Sequence, residues 1–332
     1  MLDFLRSKQP APFRLFTTAR PTTTASRKRP PITAILIDIS GTLHVGGKPT
    51  PDALGGFHRL RRSSLPFRLC SNTSNQSTGS LVKQLEKIGF DLGERQEIFD
   101  NEARIVDQQR LVWTSIGVIA KVIKAMALER PYLLLSESAR EEVVREISKD
   151  NYPKKYDSVV VGLVPSSFDY DHLNTAFRIL KGEYTGEAVG HPTKSIPLIA
   201  ANKSRYIQRE NGLALGTGPF VAALENASGT SAHIVGKPTK EFFQMVINDF
   251  TRGVDRNPNY ESKAKGKIVV IGDDVEVDLG GGALELGLWR VLVKTGKYRP
   301  GDEKRPGIVP PDEVYDSFSS FIDSLFRDGE PK

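Results

Sequence analysis

The sequence lacks the features of a disulfide-rich, zinc-binding or membrane-spanning protein. Cys70 is the single cysteine among 332 residues, which excludes an intrachain disulfide and a cysteine-cluster zinc site. No apolar run approaches the roughly 18–20 residues that a membrane helix needs, so we expect no membrane partner. The five histidines are scattered without the paired spacing of a metal site, and only His44 lies near a polar motif.

Basic residues are in excess only in the N-terminal segment 1–30. This segment has seven basic residues and one acidic residue, out of 46 and 40 in the chain, so residues 31–332 contain 39 of each. The net charge of +6 therefore belongs to the first 30 residues, and we expect no nucleic-acid partner for the rest. Because the segment is rich in Arg, Ser and Thr and nearly free of acid, it is typical of a mitochondrial presequence. A basic disordered tail on a cytoplasmic protein is the alternative.

From Ile32 onward, short apolar runs alternate with helix-like stretches. Strand-like runs at Ile32–Ile37, Phe67–Cys70 and Lys267–Ile271 are each followed by polar residues and then by a helix-like segment. This alternation predicts βαβ units around a mostly parallel sheet. The predicted fold class is therefore α/β with a Rossmann-like parallel-sheet core, in a chain long enough for about two domains.

Four polar clusters follow four of the strand-like runs. An aspartate after a strand is usually a helix cap, and Gly-Lys-Pro is usually a turn, so no cluster is informative alone. Four in series are informative, because open α/β sheets bind ligands beyond the carboxyl ends of their strands. The clusters are Asp38-Ile39-Ser40-Gly41-Thr42, Ser71-Asn72-Thr73, Gly236-Lys237-Pro238 and Gly272-Asp273-Asp274-Val275-Glu276-Val277-Asp278.

In content and order, the segments DISGT, SNT, VGKP and GDDVEVD resemble the four motifs of the haloacid dehalogenase superfamily of aspartate-dependent phosphatases. Longer stretches, such as LVKTGKYRPGDE, are similar to a subgroup with a large C2-type cap, and the resemblance covers most of residues 32–328. It implies a core formed by residues 31–127 and 233–328, with an inserted α/β cap domain at 128–232. It also implies a small phosphorylated substrate beneath the cap, and homodimers mediated by the cap.

Phosphoryl transfer explains why these residue types occur in the motifs. Asp38 can attack phosphorus and form an aspartyl phosphate, which divides a difficult hydrolysis into two steps. Mg²⁺ prefers oxygen ligands, and Asp38, Asp273 and the backbone carbonyl of Ser40 would supply three of them. Asp38 and Lys237 are therefore the predicted catalytic residues, and Mg²⁺ is the predicted cofactor.

The remaining motif residues are predicted to hold the phosphate or to support the metal ligands. Ser71 offers a hydroxyl, Asn72 a backbone N–H, and Lys237 a positive charge within reach of the phosphate. Asp278 would hold Lys237 or a metal-bound water, and Asp274 would either support the metal site or cap the following helix. The predicted substrate-binding residues are Ser40, Ser71, Asn72 and Lys237.

One departure from the family pattern bears on the reaction. Most phosphatases of the superfamily carry a second Asp two residues after the nucleophile, which protonates the leaving group and then activates water. Here that position is Ser40. We therefore expect substrates with good leaving groups, such as phosphoramidates or pyrophosphate. The alternatives are a phosphomonoesterase for a nucleotide or sugar phosphate and a catalytically weak phosphate-binding regulatory protein.

Three further segments have open interpretations. Residues 100–113 are additional to the subgroup pattern and are either a loop insertion or a gene-model artefact. The glycine-rich run 212–218 is either a flexible turn facing the site or a helix-initiating turn before Pro219. Asn202 and Lys203 would contact the substrate, and the basic stretch 294–299 would either frame the site or form a solvated loop.

Overall fold

The computed structural model describes residues 28–93, 111–145, 156–183, 195–209, 211–251 and 266–327. Most of the predicted presequence, and residues 100–110 of the predicted insertion, lie outside these ranges. Within the described ranges, no helix combines the length and the apolar character that crossing a bilayer requires.

The described strands and helices alternate along most of the chain. The strands are β1 (Ile32–Asp38), β2 (His44–Val45), β3 (Lys48–Pro49), β4 (Phe67–Ser71), β5 (Val112–Thr114), β6 (Pro131–Leu134), β7 (Ser158–Val161), β8 (Leu198–Ala200), β9 (Tyr206–Arg209), β10 (Gly212–Leu215), β11 (Ala232–Ile234), β12 (Lys267–Gly272), β13 (Trp289–Val293) and β14 (Glu313–Tyr315). The helices are α1 (Ala53–Arg62), α2 (Thr78–Ile88), α3 (Ser115–Ala125), α4 (Glu137–Arg145), α5 (Tyr170–Leu180), α6 (Gly218–Ser228), α7 (Lys240–Thr251), α8 (Gly282–Glu285) and α9 (Phe318–Arg327).

Six parallel strands form the core sheet, in the order β14-β13-β12-β1-β4-β5. Successive side chains of a strand point to opposite faces, and the central strand β1 buries apolar residues on both. Ile35 and Ile37 lie in one apolar cluster with Phe57 of α1. Leu36 lies in the cluster on the other face, with Ile119 of α3 and Phe242 of α7. Helices therefore cover both faces, and the predicted α/β, Rossmann-like core is confirmed.

A second parallel sheet, in the order β11-β8-β7-β6, is inserted after α3. Its strand β7 buries Val159 and Val161 against Ile179 of α5 and Leu224 of α6, in an apolar cluster separate from those of the core sheet. This sheet and its helices form the inserted α/β cap.

The predicted end of the cap at residue 232 falls inside a strand. Ala232 and Ile234 of β11 pair with Leu198 and Ala200 of β8, so the cap sheet continues to Ile234. As a result, the Gly236-Lys237-Pro238 cluster follows a strand of the cap sheet. The predicted core range 233–328 therefore begins inside a strand of the cap sheet.

The predicted boundary of the basic tail at residue 30 is also wrong. Arg29 donates from Nε to Glu313 Oε1 at 2.7 Å and from Nη2 to Ser324 Oγ at 2.9 Å, and its guanidinium lies 5.5 Å from the ring centre of Phe321. The Arg29 side chain joins β14 to α9, so this residue belongs to the folded core.

The end of the predicted insertion forms a core strand. Val112 and Trp113 of β5 pair with Leu69 and Cys70 of β4, and both are buried. A run of three apolar residues, Leu111 to Trp113, beside a polar stretch is too short to predict this edge strand.

The glycine-rich run contains more regular structure than either interpretation predicted. Gly212–Leu215 forms β10, which pairs antiparallel with β9. Helix α6 then begins at Gly218, so the helix-initiating interpretation holds for the end of the run and the flexible turn does not hold for its first four residues.

Candidate active site

The first, second and fourth polar clusters meet at the carboxyl edge of the core sheet. Asp38 ends β1, Ser71 ends β4 and Asp273 directly follows β12. These strands are neighbours in the sheet, so their ends converge. A cavity of about 360 Å³ opens at this edge. Its lining includes the predicted residues Asp38, Ser40, Ser71, Asn72, Lys237, Asp273 and Asp278.

Lys237 reaches this edge from the turn after β11 and is only 2% exposed. Its Nζ donates to Asp38 Oδ1 at 2.5 Å, to Asp278 Oδ1 at 2.7 Å and to the Cys70 carbonyl at 3.1 Å. Burial alone would favour the neutral amine, but the carboxylates of Asp278 and Asp38 raise the pKa of Lys237 above its ordinary value. A charged ammonium is therefore fixed beside Asp38, and Asp278 is placed to hold it.

Asn72 fixes the turn that carries Lys237. Its Nδ2 donates to the Lys237 carbonyl and its Oδ1 accepts from the Lys237 N–H, both at 2.8 Å. Gly236 permits this approach, since a Cβ there would lie 2.5 Å from Asn72 Oδ1. Asn202 of the cap donates to the Asn72 carbonyl at 2.9 Å. The predicted role of Asn72 involved only its backbone N–H, whereas in the structure its side chain also positions Lys237.

Hydroxyl groups orient both the first and the second motif. Thr42 Oγ1 donates to Asp38 Oδ2 at 3.0 Å, so each oxygen of Asp38 has a donor: Lys237 on Oδ1 and Thr42 on Oδ2. Ser71 Oγ accepts from the Thr73 N–H at 3.0 Å and donates to Thr73 Oγ1 at 2.8 Å. Thr42 belongs to the first motif but was not among the predicted site residues.

Three carboxylates form a compact cluster. One oxygen from each of Asp38, Asp273 and Asp278 lies within 4.8 Å of the others, and all three side chains are buried. Burial and the neighbouring charges of Asp38 and Asp278 raise the pKa of Asp273 well above its ordinary range. Burial and the charge of Asp38 likewise raise the pKa of Asp278 to about 6. Both shifts come first from burial and then from the negative charges of the neighbouring carboxylates.

The donor set fits Mg²⁺. With all four carboxylates ionised, Asp38, Asp273, Asp274 and Asp278 face the ammonium groups of two lysines and leave a formal charge of −2 for a divalent cation to balance. All donors are oxygens, as Mg²⁺ prefers. Both oxygens of Asp278 are already engaged, Oδ1 by Lys237 and Oδ2 by the Asp274 N–H at 3.1 Å. Asp273 Oδ1 has no hydrogen-bond partner among the described residues, so Asp273 is the side chain best placed to hold the ion, and Asp38 and Ser40 lie in the same lining.

Asp274 caps a turn and not the following helix, which begins at Gly282 with Gly281 as its N-cap. Its Oδ1 accepts from the N–H groups of Glu276 and Val277, both at 3.0 Å, and its Oδ2 pairs with Lys297 Nζ at 3.2 Å. Although burial opposes the change, Lys297 and these N–H groups lower the pKa of Asp274. The carboxylate thus stabilises the turn between Asp273 and Asp278.

The cap supplies the outer part of the cavity. Lys203, which was expected to contact the substrate, instead pairs with Glu225 at 2.6 Å, whereas Asn202 does line the cavity. Gln208 of β9 accepts from Arg299 Nη2 at 3.0 Å, which links the β9–β10 hairpin to the basic stretch 294–299. The cap residues of the lining are Leu163, Asn202, Ser204, Ile207, Gln208, Arg209 and Thr217.

Lys297 and His44 are among the lining residues that were not predicted as site residues. Lys297 forms an ion pair with Asp274 and lines the cavity. It belongs to the basic stretch 294–299, for which the sequence allowed either a frame for the site or a solvated loop. His44 is buried, and its two ring nitrogens have no hydrogen-bond partner among the described residues. Burial lowers the pKa of His44 despite the charge of Asp38. In the sequence, only the proximity of His44 to the first motif indicates that it lies at the site.

Comparisons with known proteins agree with this geometry. Residues 35–147 match a family model for haloacid dehalogenase-like hydrolases, and residues 234–321 match a second model for HAD-like hydrolases. Over 294 residues the chain is 36% identical to haloacid dehalogenase-like hydrolase domain-containing protein 2 from Homo sapiens, covering 89% of this chain and 96% of that protein. The chain belongs to the haloacid dehalogenase-like hydrolases.

This haloacid dehalogenase-like hydrolase has named phosphatases among its relatives. It is 32% identical over 300 residues to phospholysine phosphohistidine inorganic pyrophosphate phosphatase from Homo sapiens, covering 89% of this chain and 95% of that one. Among solved structures, the glycerol phosphate phosphatase from Mycobacterium tuberculosis in complex with magnesium has a TM-score of 0.65 and 22% identity, covering 87% of this chain and 76% of that one. The chain is an enzyme of the hydrolase class, and a phosphatase function is consistent with its relatives.

Proposed function

We propose that this hydrolase is a Mg²⁺-dependent phosphatase that releases phosphate from a small phosphorylated substrate through an aspartyl phosphate on Asp38. The buried charge cluster is the observation that supports the proposal. Lys237 lies 2.5 Å from one oxygen of Asp38, and oxygens of Asp38, Asp273 and Asp278 gather within 4.8 Å. Such a cluster supplies a nucleophile, a fixed cation and ligands for a second cation at one end of a cavity.

The reaction has two steps. An oxygen of Asp38 forms a bond to phosphorus while the bond to the leaving group breaks, and the leaving group departs with that electron pair. Water then hydrolyses the aspartyl phosphate, which releases inorganic phosphate and restores the carboxylate. Lys237, the Ser71 hydroxyl and the Asn72 N–H would stabilise the negative charge on the phosphoryl oxygens. Bound Mg²⁺, held by Asp38, Asp273 and the Ser40 carbonyl, would supply further positive charge.

The serine at position 40 bears on the choice of substrate. A serine hydroxyl is a far weaker acid than a carboxyl group, so an alkoxide leaving group would receive little protonation from this position. We infer that the enzyme favours phosphoramidates or pyrophosphate, whose leaving groups need less assistance. The relative named for phospholysine, phosphohistidine and inorganic pyrophosphate is consistent with this preference.

The amide side chains in the lining support a second candidate substrate class. Amides both donate and accept hydrogen bonds, which suits a hydroxyl-rich leaving group such as a sugar. Within the described part of the chain, no Phe, Tyr or Trp lines the cavity to stack on a base, which disfavours a nucleotide. The amide residues of the lining are Asn72, Asn75, Gln76, Gln84, Asn202 and Gln208.

Phosphate release from a substrate panel tests the proposal. The panel consists of pyrophosphate, phospholysine, p-nitrophenyl phosphate and a hexose 6-phosphate, each with Mg²⁺ and with EDTA. We expect Mg²⁺-dependent turnover that Asp38→Asn lowers by on the order of 10³-fold or more. Asp316→Asn, which changes an exposed aspartate, is the matched control and should retain the wild-type rate.

Two outcomes of the panel would contradict parts of the proposal. Equally slow hydrolysis by wild type and Asp38→Asn across all substrates would exclude the phosphatase and favour the phosphate-binding regulatory alternative. Faster turnover of the hexose phosphate than of phospholysine and pyrophosphate would contradict the leaving-group preference and favour the sugar phosphate.

We also propose that the basic N-terminal segment is a mitochondrial presequence. Arg29 is bound within the core, so cleavage of the presequence would have to occur before Arg29. A fluorescent protein carrying residues 1–28 should enter mitochondria, and diffuse cytosolic fluorescence would contradict the assignment. Cap-mediated homodimers stay a prediction, for which light scattering in solution is the measurement.

A further inference from the structure

A loop outside the four motifs packs directly on the predicted metal ligands. Residues Thr295–Lys297 follow strand β13 and lie against Gly41 of the first motif and Asp273 of the fourth. Lys294, just before the loop, is anchored by a backbone hydrogen bond to the Tyr315 carbonyl of β14 at 2.9 Å. The loop is therefore held by the core sheet on one side and contacts the site on the other.

Two glycines enclose the carboxylate of Asp273. Gly296 has φ +57°, and a Cβ there would lie 2.1 Å from Asp273 Oδ2 and 2.4 Å from the Cα of Gly41. Gly41 has φ +103°, and a Cβ there would lie 2.0 Å from the same oxygen. Non-bonded heavy atoms do not approach this closely, so any larger residue at either position would displace the carboxylate or the loop. Glycine is needed here for space as well as for backbone conformation.

Polar contacts complete the attachment. Thr295 Oγ1 donates to the Gly41 carbonyl at 2.5 Å, and the Lys297 N–H donates to Asp273 Oδ2 at 2.6 Å. The Lys297 ammonium pairs with Asp274 at 3.2 Å. One short loop thus joins the segment after β1 to the segment after β12, the two segments that carry the predicted metal ligands.

The two oxygens of Asp273 are treated differently by these contacts. Oδ2 is engaged by the Lys297 N–H and packed between the glycines, whereas Oδ1 has no hydrogen-bond partner among the described residues. A carboxylate whose rotation is blocked on one oxygen presents the other in a fixed direction. Groups that orient a metal ligand in this way typically change metal affinity 10–100-fold when they are lost.

We infer that the loop Thr295–Lys297 is a positioning element that holds Asp273 ready to ligate the divalent cation. The inference rests on the proposed Mg²⁺-dependent function. Thr295, Gly296 and Lys297 act through Asp273 and Gly41 and need not touch the substrate. Their loss should therefore weaken Mg²⁺ binding to the protein even when no substrate is present.

Calorimetric titration of the full chain with Mg²⁺, without substrate, tests the inference. Gly296→Ala should weaken Mg²⁺ binding about 10–100-fold. Thr295→Val, which keeps the shape but removes the donated hydrogen bond, should weaken it to a smaller degree, and Thr295→Ser should restore it. Gly307→Ala is the matched control, because Gly307 also has a positive φ (+85°) but a Cβ there would meet no atom within 4 Å. It should keep the wild-type affinity.

The outcomes distinguish failure of the loop's positioning role from failure of the proposed function. Wild-type affinity in both Gly296→Ala and Thr295→Val would overturn the positioning role while leaving the Mg²⁺ site intact. A wild-type chain that binds no Mg²⁺ would overturn the proposed function and this inference with it. Circular dichroism shows which variants are folded, and if Gly296→Ala is not, the Thr295→Val and Thr295→Ser pair decides the question.

Discussion

Replacing Lys237 with methionine should destabilise the core by about 3–5 kcal/mol, as expected when one partner of a buried ion pair is removed. Methionine is similar in length and also unbranched, so the loss would reflect charge more than a cavity. The Lys237 ammonium contacts Asp38 at 2.5 Å and Asp278 at 2.7 Å, and the residue is 2% exposed. Without it, these carboxylates and Asp273 would remain close together in a buried site.

Urea denaturation in the presence of EDTA measures this loss. Trp113 of β5 and Trp289 of β13 are both buried in the core sheet, so their fluorescence reports unfolding of the core. Adding Asp278→Asn to Lys237→Met should recover part of the loss, because it removes one of the carboxylates left without a cation.

A surface variant provides the control for this experiment. Lys294→Met breaks an ion pair with Asp316 whose side chains are largely exposed, and it should leave the unfolding midpoint unchanged. A loss of less than about 1 kcal/mol in Lys237→Met, as for an exposed pair, would refute the reasoning that this buried ammonium offsets the carboxylates.

Further predictions concern the core outside the active site. Arg29→Ala should lower the free energy of unfolding by about 1–3 kcal/mol, because it leaves Glu313 without its ionic partner. Deletion of residues 1–27 should not lower it, and equal urea midpoints for Arg29→Ala and wild type would refute this contact. Against the effect of burial, hydrogen bonds from Arg29, Tyr315 and Trp289 lower the pKa of Glu313. Its contribution to stability is therefore present above the ordinary carboxyl pKa and is lost as the pH falls through the lower folded-state value. The stability difference between wild type and Glu313→Gln should accordingly shrink from about pH 6 to about pH 3, and a constant difference would contradict it. Burial raises the pKa of Cys70 to about 12, so iodoacetamide should label it only in the unfolded chain. Labelling of the native chain, detected by intact-mass spectrometry, would contradict the burial of Cys70 in the core.

The part of the site that could be predicted from the sequence is the part built from strand ends. Asp38, Ser71 and Asp273 each follow a buried apolar run, and parallel strands bring their carboxyl ends to one edge. The convergence of core strand ends does not explain the position of Lys237, because the strand before Lys237 belongs to the cap sheet. Lys237 could be predicted at the site only because the four motifs occur in the order of a known family.

Features that depend on contact between distant segments could not be predicted. Nothing in the sequence around Gly296 indicates that a Cβ at this position would lie within 3 Å of Asp273 and Gly41. Arg29 is one more basic residue in a basic segment until its partner Glu313, 284 residues later, is known. The β9–β10 hairpin has four-residue strands with polar and exposed positions, so it lacks the regular alternation that predicts a strand.

The most direct test of the central claim is to locate the covalent intermediate. Wild-type protein is mixed with p-nitrophenyl phosphate and Mg²⁺, quenched in acid and treated with borohydride, which reduces an aspartyl phosphate to homoserine. Peptide mass spectrometry should find homoserine at position 38, and only when both substrate and Mg²⁺ are present. Release of phosphate with position 38 unmodified, or with a different aspartate converted, would contradict the assignment of Asp38 as the nucleophile.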